Sequence, residues 1–83
     1  MGVCGLYLGR REIGRLHWEQ EGGRLRLQAS CPCEPGWIYR VVMITDKGEL
    51  RLGVMLPEAE RFMLSRDIPA GQVPYRALID RTL

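Results

Sequence analysis

Gly9-Arg10-Arg11-Glu12-Ile13-Gly14-Arg15-Leu16-His17-Trp18-Glu19-Gln20-Glu21 returns 39 positions later as Gly48-Glu49-Leu50-Arg51-Leu52-Gly53-Val54-Met55-Leu56-Pro57-Glu58-Ala59-Glu60. Gly9, Ile13, Gly14, Leu16, Glu19 and Glu21 are answered by Gly48, Leu52, Gly53, Met55, Glu58 and Glu60. After a turn that reads as two residues shorter in the second copy, Arg24, Leu25 and Leu27 are answered at an offset of 37 by Arg61, Phe62 and Leu64. A fixed-period match names the building unit before any residue-level reading, and here the unit is about three strands. Convergence of two similar hairpins on similar composition is the competing explanation.

Working outward from that stretch, the chain alternates in steps of two. Arg24-Leu25-Arg26-Leu27-Gln28-Ala29 sets Leu25, Leu27 and Ala29 on one face and Arg24, Arg26 and Gln28 on the other, the pattern of a strand with one dry side. Val3 to Leu8, Glu12 to Glu19, Glu49 to Leu56 and Arg61 to Arg66 read as further strands. Trp37 to Thr45 is apolar on both faces and rich in β-branched and aromatic residues, which predicts a central strand covered on both sides or lying across a closing sheet. Turn chemistry at Gly9-Arg10-Arg11, Glu21-Gly22-Gly23, Asp46-Lys47-Gly48 and Pro57-Glu58-Ala59-Glu60 separates these runs.

Ile13 and Leu16, like Leu52 and Met55, lie three positions apart, which breaks the step of two. A bulge at Gly14 and at Gly53 restores the phase and bends the middle strand of each unit, as a small sheet must bend to bury its apolar face. The expected fold is all-β: a small antiparallel barrel or closed sandwich of about six strands, built from two similar three-stranded meanders. Unit one covers about residues 1–30, the connection 30–36, unit two about 37–68, and a C-terminal segment 69–83. In that segment Tyr75, Leu78, Ile79 and Thr82 fall at helical spacing behind Pro74, so a short helix or a seventh strand is expected. Val3 to Leu8, which carries no charge, and Arg61 to Arg66 are the expected edge strands. The pattern is still running at Leu83, which fits the N-terminal module of a longer protein.

Composition bounds the function. With 83 residues, 46% apolar and 27% charged, this is one domain with a small core and little room for a deep active site. A net charge of +2 is far below what a dedicated nucleic-acid binder needs to neutralise many phosphates. No stretch approaches the ~20 apolar residues of a membrane-spanning helix, and the start lacks the charged region of a signal peptide, so no membrane partner and a cytoplasmic location are expected.

Chemistry-bearing motifs are scarce. There is no G-x-x-x-x-G-K-(S/T), no G-x-G-x-x-G opening a helix and no G-x-S-x-G. His17 is the only histidine, and no orienting carboxylate is specified for it, so no catalytic residue and no cofactor are assigned. Cys4, Cys31 and Cys33 with His17 make a conceivable zinc set, and a small metal-dependent enzyme or sensor is one alternative. Against it, Cys31-Pro32-Cys33 lacks the usual C-x2-C to C-x4-C spacing, so three thiols in a reducing compartment are expected instead.

What remains is a surface. Arg15, His17, Arg24 and Arg26 are expected to point outward on neighbouring strands and Arg40 to join them, with Trp18, Trp37 and Tyr39 as large aromatics at strand ends. Arg and aromatic residues together are enriched at protein interfaces and on stacking surfaces for bases or sugars. The bland alternative is that the two Trp side chains complete a small core. The reading is a non-catalytic binding module engaging another protein or a second copy of itself. The alternative on the same residues is a weak single-stranded nucleic-acid or oligosaccharide binder.

Overall fold

The structure, a computed structural model, describes residues 1–32 and 34–83, which form eight strands and no helix. They are β1 (Gly2–Leu8), β2 (Arg11–Glu21), β3 (Arg24–Pro32), β4 (Ile38–Thr45), β5 (Gly48–Val54), β6 (Leu56–Glu58), β7 (Arg61–Pro69) and β8 (Pro74–Thr82). One sheet holds them all in the order β5-β4-β8-β1-β2-β3-β7-β6. The two outermost strands, β5 and β6, are separated in the chain by Met55 alone, so the two edges of the sheet are halves of one bent strand. The Met55 amide donates to the Tyr39 carbonyl at 2.8 Å, tying the bend to β4. The sheet thereby curls into a nearly closed barrel, which is how a small antiparallel fold removes most of its open edge.

The bulges fall where the spacing of apolar residues requires them. Between β1 and β2, Leu6 lies opposite Gly14 and Tyr7 opposite Glu12, leaving Ile13 as the extra residue. Between β4 and β5, Val41 lies opposite Gly53 and Val42 opposite Arg51, leaving Leu52 as the extra residue. The two glycines sit in matching places for different physical reasons. Gly53 has φ +122°, a conformation that side chains resist, whereas a Cβ on Gly14 would lie 2.2 Å from the Ser30 carbonyl oxygen on β3.

The third strands of the two halves, β3 and β7, pair antiparallel. Gln28 lies opposite Ser65, the residue 37 positions after it, and Arg24 lies opposite Pro69 just as Pro32 lies opposite Arg61. Those pairs exchange under a shift of 37, so this ladder has the register of a two-fold axis through Gln28 and Ser65.

Four expectations need correction. The count is eight strands rather than about six, because β5 and β6 split around Met55 and because the C-terminal segment, expected as a short helix or a seventh strand, is strand β8. Its helical spacing arises from a register slip: Ile44 faces Arg76 but Thr45 faces Pro74, which pushes Tyr75 out and brings Pro74, Ala77 and Ile79 to the inside. The two-residue shortening of the second half lies within its middle strand, since both hairpins turn on two residues, Gly22-Gly23 and Ala59-Glu60. Neither expected edge is an edge: β1 lies between β8 and β2, and β7 between β3 and β6. The β8–β1 contact is parallel and brief, Leu6 opposite Ala77 and Tyr7 opposite Leu78.

The core is the inward set of all the longer strands: Leu6, Leu16, Leu25, Leu27, Ala29, Cys31, Tyr39, Val41, Met43, Leu52, Met55, Phe62, Ile68, Ala77 and Ile79. β3 contributes four of these in strict alternation, as its sequence predicts.

Candidate functional site

The expected Arg-rich face exists on β2, β3 and β7, but it is not a bare cationic surface. Register places Arg15 beside Ser30, His17 beside Gln28, Glu19 beside Arg26, and Glu21 beside Arg24. On the far side of β3, Arg26 faces Asp67. Arg24 reaches diagonally to that residue: its Nε donates to Asp67 Oδ1 at 3.3 Å and its Nη2 to the Asp67 carbonyl at 2.9 Å. Arg24 and Arg26 are thus flanked by Glu21, Glu19 and Asp67, and cross-strand opposite charges of this kind cancel locally, whereas Arg15 lies beside Ser30, whose hydroxyl accepts from Arg61 Nε at 2.8 Å. Both members of the Arg24–Asp67 pair are about half exposed, so its contribution to stability is small.

Of the aromatics predicted for that face, Trp18 lines a cleft of about 510 Å³ with His17, Glu19, Arg26 and Gln28, while Trp37 and Tyr39 lie elsewhere. Trp18 alternates inward with Leu16 and lies over Gly2, where a Cβ would meet the indole at 2.2 Å. Its Nε1 is buried and has no partner among the described residues. Tyr39 is 2% exposed, with its ring centroid 4.8 Å from that of Phe62, which corrects its assignment to an outer binding face. Its hydroxyl donates to Glu34 Oε2 at 2.9 Å, and Arg81 Nη1 donates to the same oxygen at 3.0 Å. Burial pushes the Tyr39 phenol above its ordinary range, and the bond to Glu34 adds to the rise while Arg81 opposes it. The Arg81 guanidinium carbon also lies 4.2 Å from the centre of the Trp37 ring. Trp37, Tyr39, Glu34 and Arg81 therefore form one clasp at an end of the barrel, beside a cleft of about 520 Å³ lined also by Leu8, Arg11, Glu12, Ile13 and Pro32. Sequence reasoning missed Glu34 and Arg81, because nothing in their local spacing shows that β8 lies next to β4.

On the other side of residues 35–37 is an apolar groove of about 570 Å³, formed where β4 and β6 diverge. Pro35, Trp37, Ile38, Val54, Leu56 and Pro57 supply most of its surface, with Phe62 beneath. Its origin is local. In the first half, Gly2 lies opposite Trp18 and Val3 opposite His17, so that ladder runs to the end of β1. In the second half, the ladder between β4 and β5 stops at Arg40 opposite Val54. Beyond that pair the chain leaves β4 and joins β7, with Leu56 opposite Met63 and Pro57 opposite Phe62, so the strands part and leave apolar side chains in the gap. Ile38 is 42% exposed, Val54 41% and Leu56 66%. Arg40 also lines the groove; its Nη1 donates to Thr82 Oγ1 at 2.9 Å, and among the described residues it forms no ion pair, although Asp80 lies opposite it on β8.

The thiols do not converge with the histidine. His17 points outward from β2, while Cys31 is buried on the inside of β3 with its Sγ 3.9 Å from Met55 Sδ, and Cys4 lies half-buried on the inward side of β1. Burial raises the Cys4 thiol above its ordinary range. Among the described residues no three His, Cys, Asp or Glu side chains are grouped to hold a metal ion. Cys33 lies outside the described residues, so the zinc reading that included it has no structural account. No helix among those residues is long and apolar enough to cross a membrane. No protein-family model matches the chain, and no curated protein and no solved structure matches it either.

Proposed function

We propose that the protein is a non-catalytic, cytoplasmic interaction module, a duplicated meander whose binding surface is the groove between β4 and β6. Its occupant is an extended segment of another protein that inserts apolar side chains and sets a carboxylate against Arg40. One observation carries this reading. Ile38, Val54 and Leu56, three of the exposed large apolar side chains, gather with Trp37 along a single depression, whereas isolated exposed apolar residues would carry no such meaning. Arg40 gives the occupant its charge, since on this lining it has a hydroxyl partner and no ion pair, unlike Arg24 on β3.

The Arg face on β2 and β3 supports nucleic-acid binding less well, because Glu19, Glu21 and Asp67 offset Arg24 and Arg26 and the Trp18 ring packs over Gly2 with its Nε1 buried. Selection of random twelve-residue peptides displayed on phage, against the immobilised protein, tests the proposal. Recovered peptides should combine apolar and acidic residues, bind with a change in tryptophan fluorescence, and lose at least about tenfold in affinity on Leu56→Glu. Recovered binders indifferent to Leu56→Glu would place the binding surface elsewhere.

A further inference from the structure

Strand β4 is apolar on both faces, and only its inner face is covered within the chain. Tyr39, Val41 and Met43 face the core, while Val42 and Ile44 face outward and remain partly exposed. Leu78 on β8 lies opposite Val42, and Tyr7 on β1 lies opposite Leu78, so an apolar row crosses three adjacent strands on the outside of the barrel. The row is low. Gly5 has no side chain to lift Tyr7: a Cβ there would come within 2.6 Å of Tyr7 Cε1, so the ring lies down over β1.

We propose that this outer face of β1, β8 and β4 is the interface of a homodimer, its partner a second copy of the chain. Charge selects that occupant. Around the apolar row stand Arg51 opposite Val42, Glu49 and Arg76 on either side of Ile44, and Asp80 opposite Arg40. An isologous interface must complement itself, and a rim of mixed sign can set Arg51 and Arg76 of one copy against Asp80 and Glu49 of the other. A strongly acidic or strongly basic partner would meet like charges along the same rim. Strand spacing makes the face roughly 14 Å wide and about 25 Å long, which is small for a specific interface and fits a weak dimer that exchanges with monomer at micromolar concentration. The groove between β4 and β6 stays outside this contact, so the dimer presents two grooves and gains avidity for a partner carrying two segments.

Sedimentation velocity over roughly 5 to 200 micromolar decides the matter. The wild-type chain should move from near its 9.5 kDa monomer toward twice that mass. Ile44→Glu and, independently, Leu78→Glu should weaken dimerisation at least about tenfold while the strand signal in circular dichroism is unchanged; two variants are used so that one folding failure leaves the other to report. Leu56→Glu, in the groove, should leave the dimer intact. A wild-type chain that stays monomeric across the range, a folded Ile44→Glu or Leu78→Glu that dimerises normally, or a dimer lost on Leu56→Glu would each overturn the proposal, and only the last of these bears on the groove.

Discussion

Replacing Gly14 by Ala should be among the most damaging single-methyl additions the chain can suffer. The new Cβ would lie 2.2 Å from the Ser30 carbonyl oxygen and 2.7 Å from Cys31 Cβ. The first is backbone in a paired strand, so it cannot swing aside as a side chain would. Relief requires β2 and β3 to separate by about 1 Å near the pair Arg15–Ser30, which strains the ladder where Leu16, Ala29 and Cys31 pack on the inside. Overpacking of this kind costs about 1–3 kcal/mol, and a weakened ladder bond adds about 1 kcal/mol, for a total of about 2–4 kcal/mol. A domain of this size is stable by only about 4–12 kcal/mol, so its thermal midpoint should fall by roughly 10–25 °C. Urea unfolding followed by tryptophan fluorescence measures it directly. Gly53→Ala is the control: its only close neighbour is Arg66 Nη1 at 3.5 Å, and its cost, about 1–3 kcal/mol, comes from φ +122° rather than from a clash. A Gly14→Ala midpoint within error of wild type would refute the close approach of β2 to β3.

Ala59, at φ 56°, occupies the turn position that Gly22 fills 37 residues earlier at φ 60°, so Ala59→Gly should stabilise the fold by about 0.5–1 kcal/mol, read as a higher urea midpoint with an unchanged slope. Tyr39 has its phenol raised, first by burial and then by its bond to Glu34; stability is therefore complete below the ordinary tyrosine pKa of about 10 and is lost as pH rises through the raised value. Tyr39→Phe should flatten that alkaline decline in urea midpoints, at the cost of the bond to Glu34, and an identical decline in the variant would exclude Tyr39 as its source. The Cys4 thiol is likewise raised by burial, so in the folded protein it should react with a disulfide reagent more slowly than glutathione at pH 7.5 (roughly one unit below the ordinary thiol pKa), and Cys4→Ser should remove that slow phase.

The sequence was most readable where side chains alternate without interruption. β3 and β7 follow from their step of two, and the bulges at Gly14 and Gly53 follow from the three-residue gaps that break it, because phase is a local property of the chain. β8 reads as either helix or strand for the same reason in reverse. Tyr75 bulges outward, so Pro74, Ala77 and Ile79 face inward at irregular spacing, while Leu78 and Ile79, which look like one helical face, point to opposite sides of the sheet. Strand order is not local, so the insertion of β8 between β1 and β4 had no sequence signal, and with it went the clasp of Glu34, Tyr39 and Arg81. Arg15, His17, Arg24 and Arg26 are exposed on β2 and β3, as their alternation predicts, yet the offsetting of Arg24 and Arg26 depends in part on Asp67, which only the β3–β7 register brings alongside. The groove likewise depends on register, since it opens where the chain leaves β4 after Val54 and joins β7 at Leu56.

The claim that binding occurs between β4 and β6 is tested most directly by amide NMR. A ¹⁵N-labelled sample would be titrated with a selected apolar-acidic peptide and, separately, with an eight-nucleotide thymidine oligomer. The account predicts that the peptide shifts the amides of Ile38, Arg40, Val54, Met55 and Leu56 and the indole signal of Trp37, and that the oligomer shifts none of them. Peptide-induced shifts confined to Arg15, His17, Arg24 and Arg26, or saturable shifts at those residues with the oligomer, would contradict it.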